Sequence, residues 1–422
     1  MRSLITILAL SGLAFSAAAQ PLAAAHTSQL PELLASAAPA PGVAEPTEPT
    51  PRPLLGLSRV ADAPEPKKFT ILPIPVLFYQ EETGLGYGLG GFLSGRFGTD
   101  TVTRQSSVRV QYWQTQKKQS LLQLTHNIFT PGENYLFTGE ISRYDILLFY
   151  YGIGNNTLSS DESSLAYKLF IINQRAQKQI VHKLFAGVQY RFTNTSDIEP
   201  RDNAQDGNDN KFIRDASTGV IDPKAVSDHA VSLLGPVLTY DNRDNPFTTF
   251  RGEYVDASVM FGGSGIGSDY KFTRYQIDAR HFQPLFGSTR TILALQFLGQ
   301  FHTGDVPFRE LAGIGANLGG TLYNNANIMR GIYEQRYRDR QLAVVQAEVR
   351  QHLFWRLDGA VFGSAGETAS GIDKFDADGL KYAGGAGIRF NFIRRDRVNL
   401  RLDYATGSGG FSGIYFFIGE AF

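Results

Sequence analysis

The chain has 422 residues in which 40 Lys and Arg balance 40 Asp and Glu, so no net field directs it to a nucleic acid or an acidic substrate. It contains no cysteine, which excludes disulfides, a lipidated cysteine and thiolate-based metal or redox chemistry. Aromatic residues make up 12% and there are 44 glycines, yet mean hydropathy is negative and no apolar run approaches the length of a membrane helix. That combination excludes a helical membrane protein and fits a β-barrel, whose strands alternate lipid-facing and lumen-facing residues.

In chain order, Met1 and Arg2 precede an apolar run from Leu4 to Leu13, then Ala17-Ala18-Ala19 before Gln20. This is the pattern of a secretory signal peptide over residues 1–19 with an A-x-A cleavage site, and the mature chain is expected to begin at Gln20. Residues 20–67 are rich in Pro and Ala, with runs such as Pro46-Thr47-Glu48-Pro49-Thr50-Pro51-Arg52-Pro53. They read as a disordered periplasmic linker, because such a composition buries too little apolar surface to offset chain entropy. From Phe69 the composition turns aromatic, and residues 68–422 are read as one barrel domain.

Within that domain the hydrophobic period is two. Leu184, Ala186, Val188, Tyr190 and Phe192 alternate with polar Gln189 and Arg191, as half-buried strands require. The same pattern predicts strands at 70–79, 85–97, 106–115, 119–129, 134–143, 164–174, 181–194, 231–241, 252–261, 270–281, 289–301, 341–353, 357–366, 380–392, 397–405 and 413–422. The expected fold is an all-β transmembrane antiparallel barrel of about sixteen strands, an even count as single-chain barrels have. Short links after even-numbered strands read as periplasmic turns, and the long segments 195–230 and 302–340 as functional surface loops.

Several local sequences occur in order: Ile74-Pro75-Val76-Leu77-Phe78-Tyr79 before Glu82-Thr83-Gly84-Leu85-Gly86, Tyr150-Tyr151-Gly152-Ile153-Gly154-Asn155, Tyr240-Asp241-Asn242-Arg243-Asp244-Asn245-Pro246-Phe247, Met329-Arg330-Gly331-Ile332-Tyr333, and Arg401-Leu402-Asp403-Tyr404-Ala405. With the terminal segment from Gly413 to Phe422, the set resembles the BamA/TamA-type outer-membrane proteins, also called the bacterial surface antigen family. Members of that family insert or translocate polypeptides. The resemblance implies a Val-Arg-Gly-Phe/Tyr motif at the tip of a sixth surface loop folded into the lumen, with its arginine meeting acidic groups on the next two strands. Here Arg330, Gly331 and Tyr333 match the motif, and Glu348 matches the first acid. Ser364, in Phe362-Gly363-Ser364-Ala365-Gly366, stands where the family's second carboxylate would be. With one carboxylate fewer, either Glu348 carries the pair alone or the loop is held less tightly. An ordinary surface-loop arginine is the plain alternative.

At the carboxyl end, Ile414, Phe416, Ile418 and Phe422 share one parity, interrupted by Glu420. They resemble the sorting signal read by the barrel-assembly machinery, and they equally suit a last membrane strand. Ending on Phe422 favours the signal. Gly86-Tyr87-Gly88-Leu89-Gly90-Gly91 fits the dinucleotide fingerprint literally, but no helix follows, so the glycines are read as allowing strand bending. Asp197, Asp202, Asp206 and Asp209 supply hard oxygen ligands suited to calcium, without EF-hand spacing, and a solvated loop accounts for them as well. The seven histidines are scattered and no nucleophile elbow occurs, so no catalytic residue, metal or cofactor is expected and the chain is not read as an enzyme. Lumen charges such as Arg389, Arg401 and Asp403 are taken as ordinary barrel polarity.

The family's periplasmic polypeptide-transport-associated domains do not fit in residues 20–67, so the resemblance is to a barrel-only member. The expected setting is the outer membrane of a Gram-negative bacterium. Expected partners are outer-membrane lipid and lipopolysaccharide, the barrel-assembly machinery during biogenesis, and a polypeptide or lipid client, with no nucleic acid. Two functions stay open: a device for protein insertion, translocation or lipid assembly, and a passive pore or surface-structural barrel. An arginine anchored inside and a seam short of hydrogen bonds would favour the device.

Overall fold

The structure is a computed structural model and describes residues 69–80, 84–98, 103–201, 210–315 and 327–422. The signal peptide and linker expectations, and Asp202, Asp206 and Asp209, lie outside the described residues. The strands are β1 (Phe69–Gln80), β2 (Gly84–Gly95), β3 (Ser106–Thr115), β4 (Ser120–Phe129), β5 (Tyr135–Tyr150), β6 (Ser163–Val181), β7 (Leu184–Arg201), β8 (His229–Asp241), β9 (Gly252–Gly262), β10 (Phe272–Pro284) and β11 (Thr291–Gly304). A two-stranded ribbon, β12 (Ala312–Ile314) and β13 (Tyr337–Asp339), precedes β14 (Gln341–Phe354), β15 (Leu357–Ala369), β16 (Lys381–Ile393), β17 (Val398–Gly407) and β18 (Ser412–Ile418). All but β12 and β13 form one sixteen-stranded sheet in chain order. Every pair is antiparallel, as connections between neighbouring strands dictate. β1 and β18 come within 8 Å of each other, so the sheet curls round to bring its ends together.

Alternation in sequence becomes inside and outside. On β14, Gln346, Glu348 and Arg350 are buried in the lumen while Val345 is exposed on the outer face; Val361, Tyr404 and Ile414 are likewise exposed outward. The long connections follow β5, β7 and β11, so their ends leave the sheet on one side, and the short turns after β4, β6 and β8 on the other.

Three strands outrun their predicted length by the widest margin. β5, β6 and β7 have 16, 19 and 18 residues, against the roughly 9–11 that cross a bilayer. Their inward faces build the largest apolar cluster among the described residues: Tyr144, Leu148, Tyr150, Leu165, Tyr167 and Leu169 pack with Trp113, Leu121 and residues of the long loops. Among these are Phe212 and Ala216 of a short helix, α1 (Lys211–Ser217), capped by Asn210, whose side chain accepts from the Phe212 and Ile213 amides. The segment 195–230 is therefore not wholly loop. Its first residues extend β7 by pairing with β6, and Asp197 sits in that strand, 2.6 Å from Lys168. Likewise 302–340 carries the β12–β13 ribbon as well as loop.

At the opposite end the turns are short and tied by charge. Glu133, between β4 and β5, accepts from the Arg104 amide at 2.9 Å and from its guanidinium at 2.8 and 3.0 Å, with Lys183 at 3.3 Å. Burial alone would raise this carboxyl's pKa, but the hydrogen bonds and charge of Arg104, with Lys183, outweigh it and hold the group below the ordinary glutamate range. A carboxyl depressed on folding stabilises the fold above its unfolded pKa and loses that contribution as pH falls through the folded value. The melting-temperature difference between wild type and Glu133→Gln is thus expected to be largest near neutrality and to shrink below about pH 4. A difference independent of pH in detergent melts between pH 7 and 3 would show that the charge is immaterial.

Candidate functional site: a loop-six arginine in the lumen

Loop six leaves β11, forms the β12–β13 ribbon and carries residues 327–336 into the barrel. Met329, Ile332 and Leu342 belong to one buried apolar cluster, so the tip is held by packing as well as by charge. Gly331 is required where it stands. Its φ is 103°, and a Cβ there would lie 2.6–2.7 Å from the Thr406 backbone of β17. The Gly331 amide donates to the Tyr415 hydroxyl of β18 at 2.9 Å, and the Met329 amide donates to Gln346 Oε1 at 2.9 Å.

This close approach delivers Arg330, which is 2% exposed, onto two carboxylates. Its Nη2 lies 2.7 Å from Glu348 Oε2, and its Nη1 contacts Asp403 Oδ2. The guanidinium carbon sits 3.5 Å from the centre of the Phe362 ring, a cation–π contact. Further guanidiniums share the same acceptors. Arg350 Nε reaches Glu348 at 2.8 Å, Arg389 bridges Glu348, Asp403 and Glu420, and Arg401 Nε lies 3.4 Å from Asp403. Four guanidiniums (Arg330, Arg350, Arg389, Arg401) thus face three carboxylates (Glu348, Asp403, Glu420). Such a cluster tolerates burial only while every carboxylate remains in place.

The sequence-predicted site residues divide as follows. Arg330, Gly331 and Glu348 come together. Tyr333 belongs to the same loop but points to the far wall, where its hydroxyl accepts from the Phe149 amide of β5 at 3.2 Å and its ring packs near Phe149 and Tyr151. The loop therefore spans the lumen from β17–β18 to β5. Arg336 extends that attachment, donating to Thr157 and lying over Tyr151, within the loop that holds the Tyr150–Asn155 motif. Ser364 has the expected inward register, opposite Gln346, but takes no part in the Arg330 contacts; its hydroxyl donates to the Ala383 carbonyl at 3.2 Å.

The second carboxylate is Asp403, which the sequence marks only as ordinary lumen polarity. Glu348 does not carry the arginine alone. The signal was present in Arg401-Leu402-Asp403, whose alternation puts both charged residues on the lumen face. Which strand lies across the lumen from loop six is a property of barrel closure, and no local pattern reports it. Tyr415 was missed for the same reason.

The last strand, β18 (Ser412–Ile418), ends before the expected 413–422 does. Ile414 and Phe416 are exposed on the outer face, and Ile418 is partly buried near the seam, but Phe422 is buried against Phe282 and Ala294. Gly419, at φ 86°, ends β18 and turns the chain inward, so Glu420 meets Arg389 and Asn399 instead of lipid. Phe422 therefore does not share the face of Ile414 in the folded barrel.

A family model described as the Omp85 superfamily domain matches residues 87–422. The chain belongs to the Omp85 superfamily. No curated protein matches it in sequence. Among solved structures, CdiB from Escherichia coli aligns at TM-score 0.52 and 11% identity, over 84% of this chain and 63% of that one. CdiB from Acinetobacter baumannii aligns at 0.50 and 12%, over 83% and 60%. BamA from Haemophilus ducreyi lacking POTRA domains 1–3 aligns at 0.49 and 13%, over 83% and 69%. At such identities the likeness to CdiB concerns the fold, and this Omp85 chain spans less than two thirds of either CdiB chain. In this Omp85 barrel, then, Ser364 on β15 makes no contact with Arg330, and Asp403 on β17 does.

Proposed function

We propose that this Omp85 barrel is an insertion or translocation device of the outer membrane of a Gram-negative bacterium, acting on a polypeptide or lipid client through a seam between β1 and β18. The signal peptide 1–19 would deliver it to the periplasm. The barrel-assembly machinery would read Ile414, Phe416, Ile418 and Phe422 before folding turns Phe422 inward, and the finished outer face would meet lipopolysaccharide and phospholipid.

The observation that carries this reading is the incomplete seam. Among the described residues no ladder joins β1 to β18, and β18 has only 7 residues against 12 in β1. Pro73 and Pro75, two apart in β1, both lack an amide hydrogen, and the ladder to β2 runs through both. Neither position can donate to a ladder on either side, and proline is tolerated in a strand chiefly where that strand is an edge. Loop six, attached to β17, β18 and β5, leaves the lumen occupied, which favours a route at the seam over a passive pore.

The test is insertion of an unfolded small outer-membrane barrel protein into vesicles carrying the purified protein. Wild type is expected to accelerate insertion over empty vesicles, and Pro73→Val/Pro75→Val, which restores both donors, is expected to slow it by about thirtyfold if closing two hydrogen bonds adds roughly 1 kcal/mol each. Equal rates with and without wild-type protein would refute the reading.

A further inference from the structure

One motif is left unused by the loop-six site: the Asn242–Arg251 connection between β8 and β9. In a sixteen-stranded barrel β8 and β9 stand across from the seam. Yet this connection contacts the seam side. Arg397, in the turn between β16 and β17, lies 2.5 Å from Asp244 Oδ2, with its guanidinium carbon 4.3 Å from the centre of the Phe250 ring. Asn245 Nδ2 donates to the Asp396 carbonyl at 3.2 Å. The Phe247 ring meets Phe92 of β2 edge-on at 5.5 Å and packs on a cluster that includes Leu72 of β1, Val398 of β17 and Ile418 of β18.

The connection is built to hold that shape. Asn245 Oδ1 accepts from the Phe247 and Thr248 amides at 2.8 and 2.9 Å, and Asp244 Oδ1 accepts from the Phe250 amide at 2.9 Å. Its base is anchored by Asp241, which takes Arg243 at 2.9 Å and Arg104 at 2.8 Å. A segment that satisfies its own amides in this way spans the mouth as a preformed strap.

We propose that residues 242–251 are a clasp across the periplasmic mouth, tying the far wall to both strands of the seam, so that the seam opens only when Phe247, Asn245 and Asp244 let go. The sequence pattern serves this directly: the two Asx residues shape the strap, the aromatic reaches the seam cluster, and Asp244 pairs with the opposite turn. The clasp rests on the seam reading above, and its test reads the seam without using insertion.

Hydrogen–deuterium exchange is measured on the whole protein in detergent, with heat-modifiability on gels as the check of folding. In Phe247→Ala/Arg397→Gln, exchange in peptides from β1 and β18 is expected to accelerate on the order of tenfold, while peptides from β5, β6 and β10 keep wild-type rates. Because the chain has no native cysteine, Asp244→Cys/Arg397→Cys joined by a reducible bismaleimide gives a second measurement in folded protein. Cross-linking is expected to slow β1 and β18 exchange below the wild-type rate, and reduction to reverse it. Uniform acceleration of all strands in the first variant would indicate a merely structural turn and overturn the clasp, as would seam exchange unaffected by the cross-link. If wild type failed to insert a client while these exchange differences held, the device reading would fall and the clasp would stand.

Discussion

Glu348→Ala is expected to destabilise the barrel by about 3 to 5 kcal/mol, the cost of stripping the partner from a buried guanidinium. The reason for so large an effect is sharing: Glu348 is fully buried and accepts from Arg330, Arg350 and Arg389 together. Its loss leaves four guanidiniums facing only Asp403 and Glu420. Arg330→Ala removes one of those cations and also the ring contact with Phe362, so the double variant should lose less than the sum of the two single ones. Reversible urea unfolding in detergent measures all three. Strictly additive losses would mean that the two side chains do not interact, and the idea of an inward lock would have to be given up.

Asp403→Asn is expected to cost a similar amount, because Asp403 is buried among Arg330, Arg389 and Arg401. Here the displaced carboxylate offers a sharper test. Ser364 lies opposite Gln346 in the β14–β15 ladder, one inward position from Phe362, whose ring lies under the Arg330 guanidinium. Ser364→Asp, placed on top of Asp403→Asn, restores three carboxylates to the four guanidiniums and is expected to recover roughly half the loss, given that neighbouring charges couple by about 0.5 to 3 kcal/mol. The same substitution in wild type should change stability far less. If Ser364→Asp shifted the unfolding midpoint equally in both backgrounds, the two positions would not be interchangeable supports of the loop.

Glu348 was legible because it follows loop six by a few residues and its parity against Gln346 and Arg350 settles its face. Gly331 was legible because a turn at positive φ favours glycine. Asp403 was seen, and its lumen face was deducible, yet nothing within its own strand says that Arg330 arrives beside it. Phe422 was misplaced because period-two reasoning was carried past Gly419, where the strand ends. The seam prolines, Pro73 and Pro75, stood in plain view; their meaning depends on β1 being an edge, which is known only once the sheet order is known.

By itself the sequence determined the all-β class, the even strand count, the inward or outward face of most strand residues and the place of the loop-six motif. All of these follow from local chemistry: alternation with period two, glycine at tight turns and the absence of any long apolar run. The tertiary structure alone decided the tall β5–β7 wall with its apolar cluster, the partnership of Arg330 with Asp403, the meeting of β1 and β18 with no ladder between them among the described residues, and the strap whose Phe247 reaches Phe92 from the opposite wall. Each of these joins segments that only closure of the sheet brings together. The β-ladder records which strand lies next door, but contacts across the lumen depend on circumference, tilt and how far each loop folds inward, and those are properties of the closed barrel as a whole.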